Sequence, residues 1–318
     1  GVRFALTGTP IENRLGELWS IFDYLMPGYL YSYQRFRTEL EQPIVQHKDE
    51  DAAKRLQRLI RPFVLRRLKK EVLQDLPDKL EENLYAEMDG EQQELYDAHV
   101  RRMKLMLEEK SDEEIRTDKI EILAELTRLR QLCCDPALLY DNYKGGSAKT
   151  ELVRGLIRNA VENGHKVLLF SQFTTMLERL YRILEEEKIA SHMLTGATPK
   201  EKRIEMVESF AHDEVPVFCI SLKAGGTGLN LTGADIVIHY DPWWNVAVEN
   251  QATDRAHRIG QKNVVTVYKL IAKGTIEEKI IKLQQMKKEL AEEILSGDEI
   301  KTASFQREEL LELLEERF

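Results

Sequence analysis

The chain is poor in the features that mark membrane, secreted or metal-bound proteins. Its apolar runs are short, as in Val167-Leu168-Leu169-Phe170, whereas a membrane-spanning helix needs roughly 20 apolar residues. No apolar leader opens the chain. It has only 3 cysteines, Cys133 and Cys134 adjacent, among 318 residues, too few for a disulfide framework. No Cys/His spacing reads as a zinc site. No internal repeat or low-complexity tract is evident. The expected setting is therefore reducing and intracellular, with the cytoplasm as default compartment: nucleoid-associated in a prokaryote, nuclear in a eukaryote.

What is present fits an ordinary globular protein of about two domains: 42% hydrophobic and 32% charged residues. The net charge of −9 argues against nucleic acid on average but hides segregation. Lys54 to Lys70 holds eight Lys/Arg and no acid, whereas Ile276 to Phe318 holds twelve Asp/Glu against seven Lys/Arg. A basic stripe of this kind reads either as a nucleic-acid groove or as a solvated helix face.

Periodicity divides the chain. Val2–Leu6 reads as a strand at the very start, which wants sheet neighbours and suggests a cut inside a larger domain. Leu15, Leu18, Trp19, Phe22 and Leu25 recur at helical spacing until Pro27-Gly28. A second helix over Asp51–Ile60 meets Pro62, and Leu76-Pro77-Asp78 breaks the pattern. Leu84, Ala86 and Met88 alternate as in a half-buried strand. Residues 91–132 are helical, with Ile122, Leu126, Leu129 and Leu132 on one face. After a loop at 141–147 the rhythm becomes apolar strands (Val167–Phe170, Ala190–Leu194, Val217–Ile220, Ile236–His239, Val264–Leu270) alternating with amphipathic helices (Leu152–Glu162, Met176–Glu187, Lys200–Phe210). That predicts an α/β fold with a parallel sheet covered by helices on both faces. Ligands of such sheets bind beyond the carboxyl ends of the strands. A long amphipathic helix is expected over Ile276–Leu295.

Several segments carry candidate chemistry. Gly145-Gly146-Ser147-Ala148-Lys149-Thr150 approaches a phosphate-binding P-loop. Ala148 stands where the loop needs glycine, however, and no strand closely precedes it, so a loop capping the next helix is the better reading. Ser221 to Asn230 follows a strand, and Gly225, Gly226 and Gly228 free backbone amides to face an anion; a plain loop is the alternative. Trp243 and Trp244 also follow a strand; one could stack on a base and the other pack in the core. In Gln251-Ala252-Thr253-Asp254-Arg255-Ala256-His257-Arg258-Ile259-Gly260-Gln261, Arg255 and Arg258 share a face if helical. Two guanidiniums held together suit a polyanion such as a triphosphate, or are a plain surface pair.

Taken in order, these segments resemble the carboxyl half of the Swi/Snf-type remodelling ATPases, a branch of the superfamily-two helicase-like proteins. Leu6-Thr7-Gly8-Thr9-Pro10-Ile11-Glu12-Asn13 with Glu17-Leu18-Trp19 is similar to that family's third motif. Phe63-Val64-Leu65-Arg66-Arg67 with Lys69, Val72 and Leu76-Pro77 resembles the segment leading to the second lobe. Val167–Phe173, Ser221–Asn230 and Gln251–Gln261 resemble motifs four, five and six, and Asp241–Asn245 the tryptophan signature. Val246, Lys223 and Asp135 depart from the usual Pro, Arg and His.

The resemblance implies a RecA-like fold and a DNA-dependent ATP hydrolase that moves along double-stranded DNA. ATP and Mg²⁺ would be bound mainly by a first lobe, since this chain has no P-loop and no Walker B segment; the isolated chain is expected to be inactive. Arg255 and Arg258 are the implied arginine fingers. Gln251, Asp254, Gly226 and Gly228 line the nucleotide site. Gln172, Thr174, Ser221, Lys223 and Trp243 face DNA, and Thr7 and Thr9 couple the two. The implied domains are the end of lobe one with a helical insertion (1–76), a linker with the first strand of lobe two (77–90), a helical insertion (91–140), the RecA-like core (141–274) and brace-like helices (275–318). Expected partners are double-stranded DNA and DNA-bound complexes such as RNA polymerase or nucleoid or chromatin proteins, with no membrane. A strand-separating helicase, or a non-catalytic binding module if no P-loop exists upstream, are the alternatives.

Overall fold

The computed structural model describes residues 3–7, 11, 15–47, 49–65, 76–110, 114, 118–225 and 229–285. The chain divides into two compact units, one built on Gly1–Val72 and one on Leu73–Trp243 with Val248–Ile280.

The first unit is helical. Helix α1 (Leu15–Leu25) buries Leu15, Leu18 and Phe22, the stripe that its three- and four-residue spacing dictates. It stops before Pro27-Gly28, where Gly28 takes the left-handed φ of +81°. Tyr31 also sits at a positive φ of +64°, a costly conformation for a bulky residue. The Trp19 indole fixes it by donating to the Tyr31 carbonyl at 3.2 Å. Helix α2 (Tyr33–Phe36) runs through a π-helical turn (Arg37–Glu41) into α3 (Gln42–His47). Helix α4 (Glu50–Ile60) starts on Asp49, whose carboxylate accepts from the Asp51 and Ala52 amides at 2.9 and 3.0 Å. Phe36, Leu40, Ile44, Ala53, Leu56 and Ile60 close the core against α1. Of the basic stripe, Lys54, Arg58 and Arg61 lie exposed, while Arg55 pairs with Glu39 at 3.3 Å; Arg66 to Lys70 fall outside the described residues.

The second unit carries a six-stranded sheet in the order β1-β6-β5-β2-β4-β3. Its strands are β1 (Lys79–Ala86), β2 (Val167–Ser171), β3 (Ser191–Leu194), β4 (Val217–Ser221), β5 (Ile236–His239) and β6 (Val265–Ala272), and every pairing is parallel. Side chains alternate across such a sheet. Leu168 and Phe170 of β2 enter a core with Phe218, Ile220, Val237, Val265 and Val267. Val167 and Leu169 enter the opposite core with Val217, Cys219, Ile238 and Leu270. Burial on both faces explains why β2 and β4 are continuous apolar runs. The α/β class and the covered parallel sheet agree with the sequence expectation.

Helices α5 (Gly90–Glu109) and α6 (Lys119–Cys134) precede the sheet core; α7 (Ala148–Glu162), α8 (Thr174–Glu186) and α9 (Lys200–Phe210) alternate with its strands. Short helices α10 (Leu222–Gly225) and α11 (Val246–Thr253) follow β4 and β5, and α12 covers 276–285. Three expectations need correction. Residues 3–7 form no strand, and Phe4 and Leu6 are 82% and 101% exposed; a strand needs a ladder partner, and no described residue supplies one. Among the described residues of the stretch 91–132, α5 and α6 are helical but Lys110 and Asp118 are not. Strand β1 ends at Ala86, so buried Met88 follows it in a loop. The expected helix Ile276–Leu295 is seen to residue 285, and the rest lies outside the described residues.

The near-P-loop resolves as a cap. Ser147 Oγ accepts from the Thr150 amide at 3.4 Å and donates to the Cys134 carbonyl at 2.5 Å. Lys149 is fully buried, donating to the Tyr240 carbonyl at 2.9 Å and the Glu277 carboxylate at 2.6 Å. Glu277 in turn accepts from the Ala272 amide at 2.8 Å. Tyr240, also buried, donates to the Cys134 carbonyl at 2.9 Å and meets Thr150 Oγ1 at 3.0 Å. This dry network joins the start of α7, the end of β5 and the start of α12. Burial opposes the Lys149 charge, but Glu277 beside it holds the lysine above its ordinary pKa. Removing one member of a buried pair strands the other. Lys149→Met is therefore expected to cost about 3–5 kcal/mol in urea unfolding, while Lys149→Met with Glu277→Leu recovers most of that loss. A single variant within about 1 kcal/mol of wild type would contradict the pairing.

Candidate nucleotide and nucleic-acid site

All strands run parallel, so their carboxyl ends gather along one edge. Two clusters form there, both within the second unit.

The first cluster centres on Asp241, 3% exposed, two residues beyond β5. A buried carboxylate must have its oxygens satisfied. Ser171 Oγ, at the end of β2, donates to Asp241 Oδ1; the Gln172 amide reaches Oδ2 at 3.4 Å. Arg130 of α6 completes it with Nη2 at 4.0 Å from Asp241 Oδ2. The same guanidinium donates to Gln172 Oε1 at 3.0 Å and the Pro242 carbonyl at 2.5 Å. It lies 5.7 Å from the Phe173 ring centroid and 5.5 Å from that of Trp243. Trp243, half-buried, donates its amide to Glu249 Oε1 at 2.6 Å. Thr174 is exposed at the start of α8, Lys223 is exposed on α10, and Ser221 is buried opposite Ser171 in the ladder.

The second cluster is the arginine segment. Helix α11 ends at Thr253, and residues 254–260 continue as turns rather than a helix. The amides of Ala256 and His257 both bond to the Thr253 carbonyl, each at 3.1 Å. Gly260, at φ +104°, and Gln261 close the turn. Gln261 Nε2 donates to the carbonyls of Ala234 at 2.8 Å and of Thr232 and Ala256 at 3.2 Å. Its Oε1 accepts from the amides of Lys262 at 2.8 Å and Asn263 at 2.9 Å.

Arg255 and Arg258 both lean on the segment that follows the glycine-rich turn. The Arg255 carbonyl accepts from the Leu231 amide at 2.9 Å, and Arg258 Nη1 donates to the Leu229 carbonyl at 3.3 Å. Both side chains are half-buried. Burial, then the neighbouring Arg258 charge, pulls the Arg255 pKa below its ordinary value, and Asp254 opposes this. Gln251 is half-buried on α11 and Asp254 is exposed just beyond it.

Thr7 lies exposed in the first unit. Gly226, Gly228 and Thr9 lie outside the described residues. Among the described residues no group of His, Cys, Asp or Glu is placed to hold a metal ion, and no helix is long and apolar enough to cross a membrane.

Sequence reasoning missed Arg130 as a functional candidate. It sits eight residues after Ile122 on the apolar face that also carries Leu126 and Leu129. A charged residue at a core position of an amphipathic helix was the available signal. It also missed the positioning roles of Asp241 and Gln261.

Comparison with known proteins places the chain among helicase-like ATPases of the SNF2 type. A model of the SNF2-related domain matches residues 2–138, and one of the helicase conserved C-terminal domain matches 148–260. A putative ATP-dependent helicase/translocase of Bacillus subtilis is 43% identical over 304 residues, 92% of this chain and 32% of the relative. The C-terminal domain of the Sulfolobus solfataricus SWI2/SNF2 ATPase superposes with a TM-score of 0.61 at 32% identity, covering 76% of this chain and 100% of that one. The core of that ATPase in complex with double-stranded DNA gives 0.59 at 38% identity, with 92% and 63% covered. The chain spans 29% to 32% of the length of the curated bacterial relatives it matches.

One buried group beside the arginine turn makes stability depend on pH. His239, at the end of β5, stacks on Phe170 and places Nε2 2.9 Å from Thr253 Oγ1. Burial, then the Lys269 charge, pushes its pKa down to about 3. Above about pH 6.5 the imidazole is neutral in both folded and unfolded chains, and its contribution is complete. Below that only the unfolded chain takes up the proton, so stability falls with pH at up to about 1.4 kcal/mol per unit. Urea unfolding between pH 7 and 5 is expected to show this slope, and His239→Gln to flatten it. An equal slope in the variant would contradict the assignment.

Proposed function

The chain belongs to the SNF2-related helicase-like family, and from that premise we propose that it is the carboxyl-terminal part of an ATP-driven translocase on double-stranded DNA. The observation that carries this reading is the arginine pair, held between the end of α11 and the Leu229–Leu231 segment. The length of the relatives supports a further lobe that holds ATP and its Mg²⁺. Within the proposal, residues 1–76 close that first lobe, 77–90 link the lobes, 91–140 are an insertion, 141–274 are the RecA-like core and 275–318 form a brace.

Arg255 and Arg258 stabilise the negative charge that spreads over the transferring phosphoryl oxygens. Their mutual repulsion is relieved when the anion arrives, so closure of the site favours nucleotide over water. Gln251 and Asp254 hold the turn, Gly226 and Gly228 bring backbone close to the phosphates, and Thr7 and Thr9 couple nucleotide state to DNA. Gln172, Thr174, Ser221, Lys223 and Trp243 meet the duplex through its backbone. Such contacts tolerate any sequence and weaken steeply with salt. The Sulfolobus solfataricus ATPase core is seen in complex with double-stranded DNA, which supports the same partner here. DNA-bound assemblies, RNA polymerase or nucleoid or chromatin proteins among them, are the proposed targets.

In the natural full-length protein, Arg255→Ala is expected to lower duplex-stimulated ATP turnover by about 10³–10⁵. Near-normal turnover would overturn the arginine assignment. The isolated 318-residue chain, which has no P-loop, is expected to hydrolyse ATP negligibly in a phosphate-release assay, and robust turnover would contradict the division of labour. Unwinding of a forked duplex would instead favour a strand-separating helicase.

A further inference from the structure

We propose that Arg130 is a positioning residue that locks the loops after β2 and β5 into one duplex-facing surface. This inference rests on the function proposed above and adds a residue from a helix outside every motif assigned to DNA or nucleotide.

Gln172 and Trp243 are 71 positions apart in the chain, on loops leaving neighbouring strands. Strand pairing aligns β2 with β5 only as far as Phe170 and His239. Beyond that point the two strands share only the Tyr240 amide on the Phe170 carbonyl at 2.9 Å, and Ser171 is the last β2 residue in a ladder, with β4. Arg130 takes over, bonding one loop through Gln172 Oε1 at 3.0 Å and the other through the Pro242 carbonyl at 2.5 Å. Asp241, bonded to Ser171 and to the Gln172 amide, ties the same loops from the backbone side. The guanidinium plane lies near Phe173 of one loop and Trp243 of the other. At 2% exposure Arg130 presents almost nothing to solvent, so its effect on a ligand passes through the loops.

The geometry also orients Gln172. Arginine only donates, so the side-chain amide must turn its oxygen inward. Gln172 Nε2 then finds no acceptor among the described residues. Lysine cannot replace the arginine: a single ammonium cannot reach Gln172, Pro242 and Asp241 in the plane of a fork, and it lacks a flat face for the two rings.

The test uses the natural full-length protein, a blunt duplex and ATP. Arg130→Lys keeps the charge opposite Asp241. It is expected to raise the half-saturating duplex concentration about ten-fold while the half-saturating ATP concentration stays within about two-fold. If Arg130 acts through the loops, adding it to Gln172→Ala with Trp243→Ala weakens duplex binding by less than about two-fold further. A purely structural role moves both half-saturation values, or adds fully in the combined variant, and overturns the proposal. Phe173→Leu gives a second reading should Arg130→Lys fold poorly. It loosens the same clamp with an apolar side chain kept in place, and is expected to weaken duplex binding about three-fold. Unchanged duplex dependence in both variants defeats the Arg130 proposal alone. A wild-type protein that ignores duplex altogether defeats it together with the function it rests on.

Discussion

A carboxylate taken out of water, Asp241, organises the working edge of this molecule. Removing its charge from solvent costs several kcal/mol unless partners replace the lost hydration. The partners come from two places distant in sequence: Ser171 at the end of β2 with Gln172 just after it, and Arg130 on α6. Meeting the electrostatic demand of one residue therefore fixes the relative placement of two loops and a helix. The buried Lys149–Glu277 pair plays the same part on the far side of Tyr240. Together the two networks bracket Tyr240 and Asp241, and the backbone between β5 and α11 is held from both directions.

That bracketing bears on the arginine turn. Thr253 is fixed by His239 from the end of β5, and Gln261 grips carbonyls on both sides of the turn. Between these anchors Arg255 lies near enough to Arg258 to feel its charge, with Asp254 opposing. In the proposed function, a bound polyanion would relieve the repulsion between the two guanidiniums. The same logic separates this turn from the lysine of the near-P-loop. Lys149 has an internal carboxylate and no exposure, so it takes no part in binding a phosphate.

Much of the sheet domain was legible in the residues. Helix Lys200–Phe210 and strand Ile236–His239 appear at the bounds their periodicity indicated, because burial against a single large core leaves an unambiguous pattern. The helix at Ala148 begins four residues before its apolar pattern does, since its start is set by the Ser147 cap rather than by hydrophobicity. Val2–Leu6 reads as a strand, but the described residues 3–7 form none, since pairing depends on neighbours rather than on local propensity. Arg255 and Arg258 were found through their motif, yet the turn that holds them is not the helix their spacing allowed. Arg130 and Asp241 escaped notice because their meaning lies in a contact across 111 positions, which no local window contains.

The central claim is movement along duplex DNA driven by ATP, and a triplex-displacement assay on the full-length protein tests it most directly. ATP is expected to release a third strand laid in the major groove of a linear duplex, with the two duplex strands still paired afterwards. A nucleotide that cannot be hydrolysed should leave the third strand bound. Retention of the third strand under conditions of vigorous duplex-stimulated hydrolysis, or separation of the duplex itself, would contradict the account.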